Sequence, residues 1–188
     1  MLEGKMVRLR ALEPTDLERA YTWINDREVT YYLAARYPLS RADEERWLKE
    51  GPTNGFASGA RLAIETKDGV HIGNMDLHQV NPEDRKASLG IMIGEKKYWA
   101  NGYGTDAIVT LLRFAFGEMN LNRVMLHVFE FNERAIACYK KCGFQEEGRL
   151  RQHYYAEGRY WDVLVMGVLR DEFDALRGIA AQAAGATS

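Results

Sequence analysis

With 188 residues, 46% of them hydrophobic and 28% charged, the chain has the size and composition of one globular domain and is too short for two. A formal net charge of −2 gives no electrostatic case for nucleic acid or an acidic membrane surface as partner. The N-terminus MLEGKMVRLRAL lacks the apolar segment of a signal peptide, and no apolar run reaches membrane-spanning length, so a cytoplasmic protein is expected.

Met6–Leu12 alternates Val7, Leu9 and Ala11 with Arg8 and Arg10, the pattern of a half-buried strand. After Pro14, residues Asp16–Arg27 place Leu17, Ala20, Tyr21 and Ile24 on one helical stripe. Ser40 followed by Asp43 resembles a capping box that opens a short helix stopping near Gly51-Pro52. Arg61–Thr66 and Val70–Val80 read as strands joined through Asp68-Gly69, a hairpin signal. Asn81–Asp84 is a turn, and Ala87–Ile93 is a strand apolar enough to be central. Thr105–Met119 carries a helical stripe, Arg123–Phe129 is a strand, and Glu133–Cys142 is a helix stopped by Gly143. Phe144–Tyr155 and Arg159–Leu169 form a last strand pair around Glu157-Gly158. The Ala/Gly-rich end, 178–188, has no apolar stripe and is expected to fray, leaving one domain over 1–177. The order predicts an α/β domain with a mixed sheet.

Two stretches carry chemistry. In IMIGEKKYWANGYGTD, Ile91–Asp106, a β-type run meets a Gly-rich loop and then a helix. Gly102 and Gly104 let the main chain approach a ligand. If Thr105 opens the helix, loop N–H groups and the helix dipole converge on one point, an anion site suited to a phosphate. In the second stretch, NERAIACYKKCGF, Asn132 stands just before a helix, where it can cap it or reach a ligand amide. Tyr139 lies two turns on, on nearly the same face. Cys138 and Cys142, four apart with no second pair, argue against zinc and read as small packing residues. No metal-ligand spacing is present among the histidines either.

Asn132, Ala135, Tyr139 and Gly143-Phe144 match the N-x-x-A-x-x-x-Y-x-x-x-G-F signature of the GNAT superfamily of N-acetyltransferases. With YWANGYGTDAI and HYYAEGRYWDVLVMGVL, the chain resembles its branch of Rim-type ribosomal-protein and spermidine acetyltransferases, over roughly Met6 to Phe173. The resemblance implies a GNAT-like mixed central sheet whose parallel central strands, Ser88–Ile93 and Val124–Phe129, splay apart to hold acetyl-CoA. Ile91, Met92 and Ile93 would line the pantetheine arm, with backbone groups of Ile91 and Ile93 pairing to its amides as an added strand does. The pyrophosphate would sit on the N–H groups of Ala100, Asn101, Gly102, Tyr103, Gly104 and Thr105. Asn132 and Ala135 would contact the arm, and Tyr139 would point at the thioester sulfur as general acid or thiolate stabiliser. Two departures stand out: Trp99 occupies the Q/R position of the widespread Q/R-x-x-G-x-G pattern, and Ser88 stands where relatives often carry an acid.

The reaction so implied is direct transfer of an acetyl group to a primary amine, with no covalent intermediate and no metal. Full proton transfer from a tyrosine to a thiolate is uphill by roughly 2 kcal/mol, so Tyr139 would act as a hydrogen bond to developing charge. The general base is left open among Asp76, His78, Glu130, Glu65, Glu95 and a water chain. Tyr31, Tyr32, Tyr37, Tyr154, Tyr155 and Trp161 are candidates for the acceptor pocket. Asp43-Glu44-Glu45 could attract a polyamine but reads more simply as the negative first turn of a helix. By resemblance the acceptor is a protein N-terminal amine. The alternatives are a small-molecule amine (polyamine, amino acid or antibiotic) and, outside enzymes, a CoA-binding regulatory domain. An exposed apolar strand at Val163–Val168 is compatible with a homodimer.

Overall fold

The computed structural model describes residues 1–50 and 59–185. Eight strands form one sheet: β1 (Leu2–Glu3), β2 (Val7–Ala11), β3 (Ala60–Thr66), β4 (His71–Asn81), β5 (Lys86–Ile93), β6 (Arg123–Phe129), β7 (Gln145–Ala156) and β8 (Arg159–Leu169). Their order across the sheet is β1-β2-β3-β4-β5-β6-β8-β7. Every neighbouring pair is antiparallel except β5 and β6. The helices are α1 (Leu17–Ile24), α2 (Arg27–Thr30), α3 (Arg41–Lys49), α4 (Tyr103–Gly117), α5 (Glu133–Lys141) and α6 (Arg170–Gly185).

The β5–β6 pairing is short. It holds Lys86 to Arg123, Ala87 to Val124 and Ser88 to Met125, and then stops. On its other side β5 stays paired with β4 as far as Ile93 opposite Gly73, while β6 stays paired with β8 as far as Phe129 opposite Val163. Each strand is thus held by its outer neighbour while the two part from each other, the splay that the resemblance implies. A parallel connection needs a crossover element, and α4 supplies it, seating Ala107, Ile108, Leu111, Leu112 and Ala115 against Leu89, Val124, Leu126 and Val128. Phe116 of α4 meets Phe173 of α6, ring centroids 5.4 Å apart. Along β6 the side chains alternate, so Met125, His127 and Phe129 project from the face opposite that core.

A single helix over Asp16–Arg27 does not form. The Asn25 amide donates to the carbonyls of Tyr21 (3.0 Å) and Leu39 (3.2 Å), and the Asp26 carboxylate accepts from the Glu28 N–H at 2.9 Å, capping α2. Two short polar side chains that bond to backbone end one helix and start another. Ahead of α1, Asp16 is buried, takes a two-pronged bond from Arg10 (2.7 and 2.9 Å) and accepts from the Glu13 N–H at 2.8 Å. Burial works to raise its pKa, yet the Arg10 guanidinium and that N–H hold it below the usual value. The Ser40 cap is as read from the sequence, its hydroxyl accepting from the Asp43 N–H at 3.1 Å; the Gly51-Pro52 stop lies outside the described residues.

α6 runs across the boundary drawn at 177/178 and reaches Gly185. Alanine-rich sequence needs no apolar stripe to be helical, because alanine has the highest intrinsic propensity. Positions 186–188 of the expected tail lie outside the described residues. The apolar Val163–Val168 is not an exposed strand: β8 lies between β6 and β7, with Val163, Leu164, Met166 and Val168 buried. β7 takes the edge instead. Among the described residues, no helix is long and apolar enough to cross a membrane.

Candidate functional site

The gap between β5 and β6 opens into a cavity of about 840 Å³ whose wall includes Leu89–Ile93, His127–Phe129, the loop at Trp99, Ala100, Gly102, Gly104 and Thr105, and Asn132, Ala135, Cys138 and Tyr139 of the α5 region. Elements far apart in sequence meet here because α4 and α5 both start at the mouth of the splay. Ten of the twelve residues proposed from the sequence lie on this wall.

Asn101 and Tyr103 are the other two. They belong to the loop, but the Asn101 amide donates to the Lys97 carbonyl at 3.1 Å and the Tyr103 ring packs edge-on against Tyr98 with centroids 4.9 Å apart. Helix α4 begins at Tyr103, not at Thr105. Gly102 is therefore its N-cap, at φ +88°, a backbone state that a side chain opposes. Gly104 falls inside the first turn, and its task is room. A Cβ there would point to Ile93 Cγ1 at 3.9 Å and Cys138 Sγ at 4.0 Å, across the passage where a ligand arm would lie. Unpaired first-turn N–H groups and an open wall suit the pyrophosphate of CoA.

Trp99 donates from Nε1 to the Ile93 carbonyl at 2.6 Å, so that carbonyl, expected to face the pantetheine arm, already has a partner. The indole also carries the Arg134 guanidinium 4.2 Å above its ring. Asn132 is buried and caps α5, accepting from the Ala135 N–H at 3.2 Å. Burial pushes the Tyr139 phenol well up from its ordinary value, and the neighbouring Cys138 and Cys142 sulfurs add to this. Cys138 is a wall residue, with Thr105 Oγ1 3.2 Å from its sulfur; only Cys142 is a core residue. The Cys142 thiol and the Thr105 hydroxyl draw the Cys138 thiol below its usual range.

None of the sequence candidates for the general base lines the cavity. Glu65 is paired with Arg10 at 2.7 Å and Glu95 with Arg19 at 3.1 Å. Glu130 accepts from Arg149 at 2.9 Å and from the Asp162 N–H at 2.8 Å. Asp76 lies across Gly90, where a Cβ would collide with its carboxylate, and binds His78 Nδ1 at 2.8 Å. Two histidines that sequence reasoning passed over, His127 and His153, do line the cavity. His127 stands two residues beyond the last β5–β6 pair, and Gly90 stands two beyond it on the other strand. His127 is therefore at the point of splay, on the same face of β6 as Phe129. Period-two alternation could have put it on the face of Phe129, but only the β5–β6 register shows what lies opposite.

The face of β6 that carries His127 and Phe129 is aromatic. Phe129 stacks on Tyr154 (4.0 Å) and on Phe131 (5.2 Å), and Phe131 reaches Trp161 (4.8 Å) and Tyr31 (5.3 Å). A second cavity of about 480 Å³, walled by Tyr31, Tyr37, Phe131, Tyr154, Tyr155 and Glu157 among others, shares Arg36 and Tyr154 with the first. The aromatic residues proposed from the sequence are thus gathered, Trp161 through Phe131. The acidic run is not: Asp43 is tied to Arg46 at 3.2 Å and Glu45 to Lys49 at 2.6 Å, Glu44 is buried, and none of the three is on either wall.

A family model described as Acetyltransferase (GNAT) domain matches residues 7–145. The chain is 31% identical over 171 residues to the spermidine N(1)-acetyltransferase of Vibrio cholerae, covering 90% of this chain and 96% of that one. It is 30% identical over 177 residues to the putative ribosomal N-acetyltransferase YdaF of Bacillus subtilis, covering 89% and 93%. Among solved structures, that of spermidine N-acetyltransferase from Vibrio cholerae in complex with CoA and spermine superposes with a TM-score of 0.82 at 29% identity, over 90% of this chain and 99% of that one.

Proposed function

Because the chain belongs to the GNAT acetyltransferase family and is an acetyl-CoA-dependent N-acetyltransferase, we propose that its acceptor is a small-molecule primary amine. The observation that carries this is the aromatic recess opening off the acceptor side of the splay, a concave site of small-molecule size. The relatives named spermidine N-acetyltransferase support a small amine over the protein N-terminal amine implied by the first resemblance.

Bound acetyl-CoA supplies an acyl carbon activated by a thiol leaving group. The N–H groups of the Ala100–Thr105 loop and the positive end of α4 hold its pyrophosphate, with Arg134 and Lys141 of the wall as nearby cations. Leu89–Ile93 lines its arm along the edge of β5 that β6 leaves free. His127, on the acceptor side, takes a proton from the incoming ammonium, freeing the nitrogen lone pair to attack the acyl carbon. As the C–S bond breaks, the Tyr139 hydroxyl donates a hydrogen bond to the departing sulfur. Its raised pKa keeps it a donor throughout and makes it a poor source of a fully transferred proton. Products are the acetamide and CoA thiol, with one proton released.

Thiol release from acetyl-CoA, followed over a panel of small amines and N-terminal peptides, tests this. Turnover is expected on a small amine with the acetamide recovered by mass. Acetyl-CoA binding without turnover on any small amine would refute it.

A further inference from the structure

The charge around the acceptor is the opposite of what a polycation needs. Arg134 and Lys141 of the larger cavity's wall stand with the pyrophosphate, which leaves Arg36 on the acceptor's share of that wall with, among the described residues, no carboxylate. The smaller cavity carries one, Glu157, which the Tyr31 hydroxyl approaches to 3.3 Å. Arg36 belongs to both walls. Its guanidinium lies on the Tyr154 ring, 4.5 Å from the centroid, and Arg159 lies on Trp161 at 3.4 Å. Among the described residues neither has a carboxylate within ion-pairing distance, unlike Arg10, Arg123 and Arg149. A guanidinium held over a ring and without a carboxylate partner has its fork of N–H donors to offer, and that fork matches a carboxylate with two parallel bonds. The rings beneath it offer apolar area beside the same point.

Resting on the small-amine reading above, we infer that the acceptor is an amino-acid-like amine, bearing a carboxylate next to an apolar or aromatic group. Arg36 reads the carboxylate, and the Phe129–Tyr154–Phe131 stack takes the side chain. Arg159, over the Trp161 ring that touches Phe131, adds a second positive charge nearby. A polyamine places its remaining ammonium groups against these arginines with no carboxylate on the larger wall to offset them, so it is disfavoured.

The test compares kcat/KM for phenylalanine, phenylalanine amide and spermidine at saturating acetyl-CoA, with wild type and Arg36→Gln. The free acid is expected to exceed the amide by about tenfold, as for one charge-assisted interaction, with spermidine below both. Arg36→Gln, checked by its melting temperature for intact folding, is expected to bring the acid down to the level of the amide. Equal rates on acid and amide, spermidine as the best substrate, or a parallel fall on acid and amide in the variant would each overturn the inference. Turnover on spermidine alone overturns it and leaves the small-amine reading standing. Turnover only on a peptide N-terminus, or on nothing, overturns both.

Discussion

Asp106 is the side chain whose loss should be most informative about how the phosphate loop is held. It stands in the first turn of α4, and its carboxylate accepts three main-chain N–H groups from the N-terminal segment: Lys5 at 3.0 Å, Met6 at 2.6 Å and Val7 at 3.0 Å. Gly4 passes so close that a Cβ would strike this carboxylate and the Thr110 hydroxyl. Asp106→Asn keeps the shape but loses the charge, and its NH2 group cannot accept. A hydrogen bond to a charged group contributes about 1.5–3 kcal/mol when shielded, and an acid in a helix first turn about 0.3–1 kcal/mol. Two of the three bonds reach exposed residues, and the amide oxygen keeps part of the set, so the net loss should be about 2–3 kcal/mol. For a chain of this size that lowers Tm by about 5–10 °C. Urea unfolding followed by far-UV circular dichroism measures it, with the m-value expected to match wild type. A loss under about 0.5 kcal/mol would show that water replaces the carboxylate without cost and would refute the reasoning.

Tyr139→Phe should lower kcat about ten- to a hundredfold with the KM for acetyl-CoA within about twofold, if the hydroxyl acts as proposed on charge that develops only at the sulfur; unchanged kcat removes that role. His127→Gln should lower kcat/KM about a hundredfold with the KM for acetyl-CoA within about twofold; an unchanged rate would assign the base elsewhere. Gly94 lies flush against the Trp23 ring, and a Cβ would overlap the indole, so Gly94→Ala should cost about 2 kcal/mol or more in urea unfolding. Because the folded pKa of Asp16 is depressed, its contribution to stability is full above its unfolded value of about 3.9 and is lost as pH falls through the folded one. Below about pH 4 the stability of Asp16→Asn should accordingly fall less steeply than that of wild type, and parallel slopes would count against the pairing with Arg10.

What the sequence made legible were features written in contiguous residues. The Gly-rich strand-to-helix turn at Gly102, the Asn132 cap with Tyr139 two turns on, and the Ser40 cap each depend on local spacing, and the structure places them accordingly, with α4 opening two residues earlier than read. What stayed hidden depends on residues far apart in the chain. Asp106 reads as an ordinary first-turn acid until Lys5–Val7 comes against it a hundred positions away. His127 is one polar residue in an apolar strand until the register with β5 puts it at the point of splay. The Asp43–Glu45 run reads in sequence as the negative first turn of a helix, and there it stands, with Arg46 and Lys49 as partners that a sequence shows only as neighbours. Arg36 shows the reverse: nothing nearby in sequence indicates that it will rest on Tyr154.

The three-pair seam between β5 and β6 divides the sheet mechanically into a five-stranded slab and a three-stranded one, with α4 strapped across both. Such a seam holds the two slabs by few main-chain bonds. An arm of CoA lying in it would act as a splint, completing hydrogen bonds that the chain leaves open. By linkage, a ligand at a hundred times its dissociation constant adds about 2.7 kcal/mol to the folded state. With CoA bound there, the rigidity of this sheet would be set partly by the supply of acetyl-CoA around it, and each release of product would return the slabs to a looser pairing.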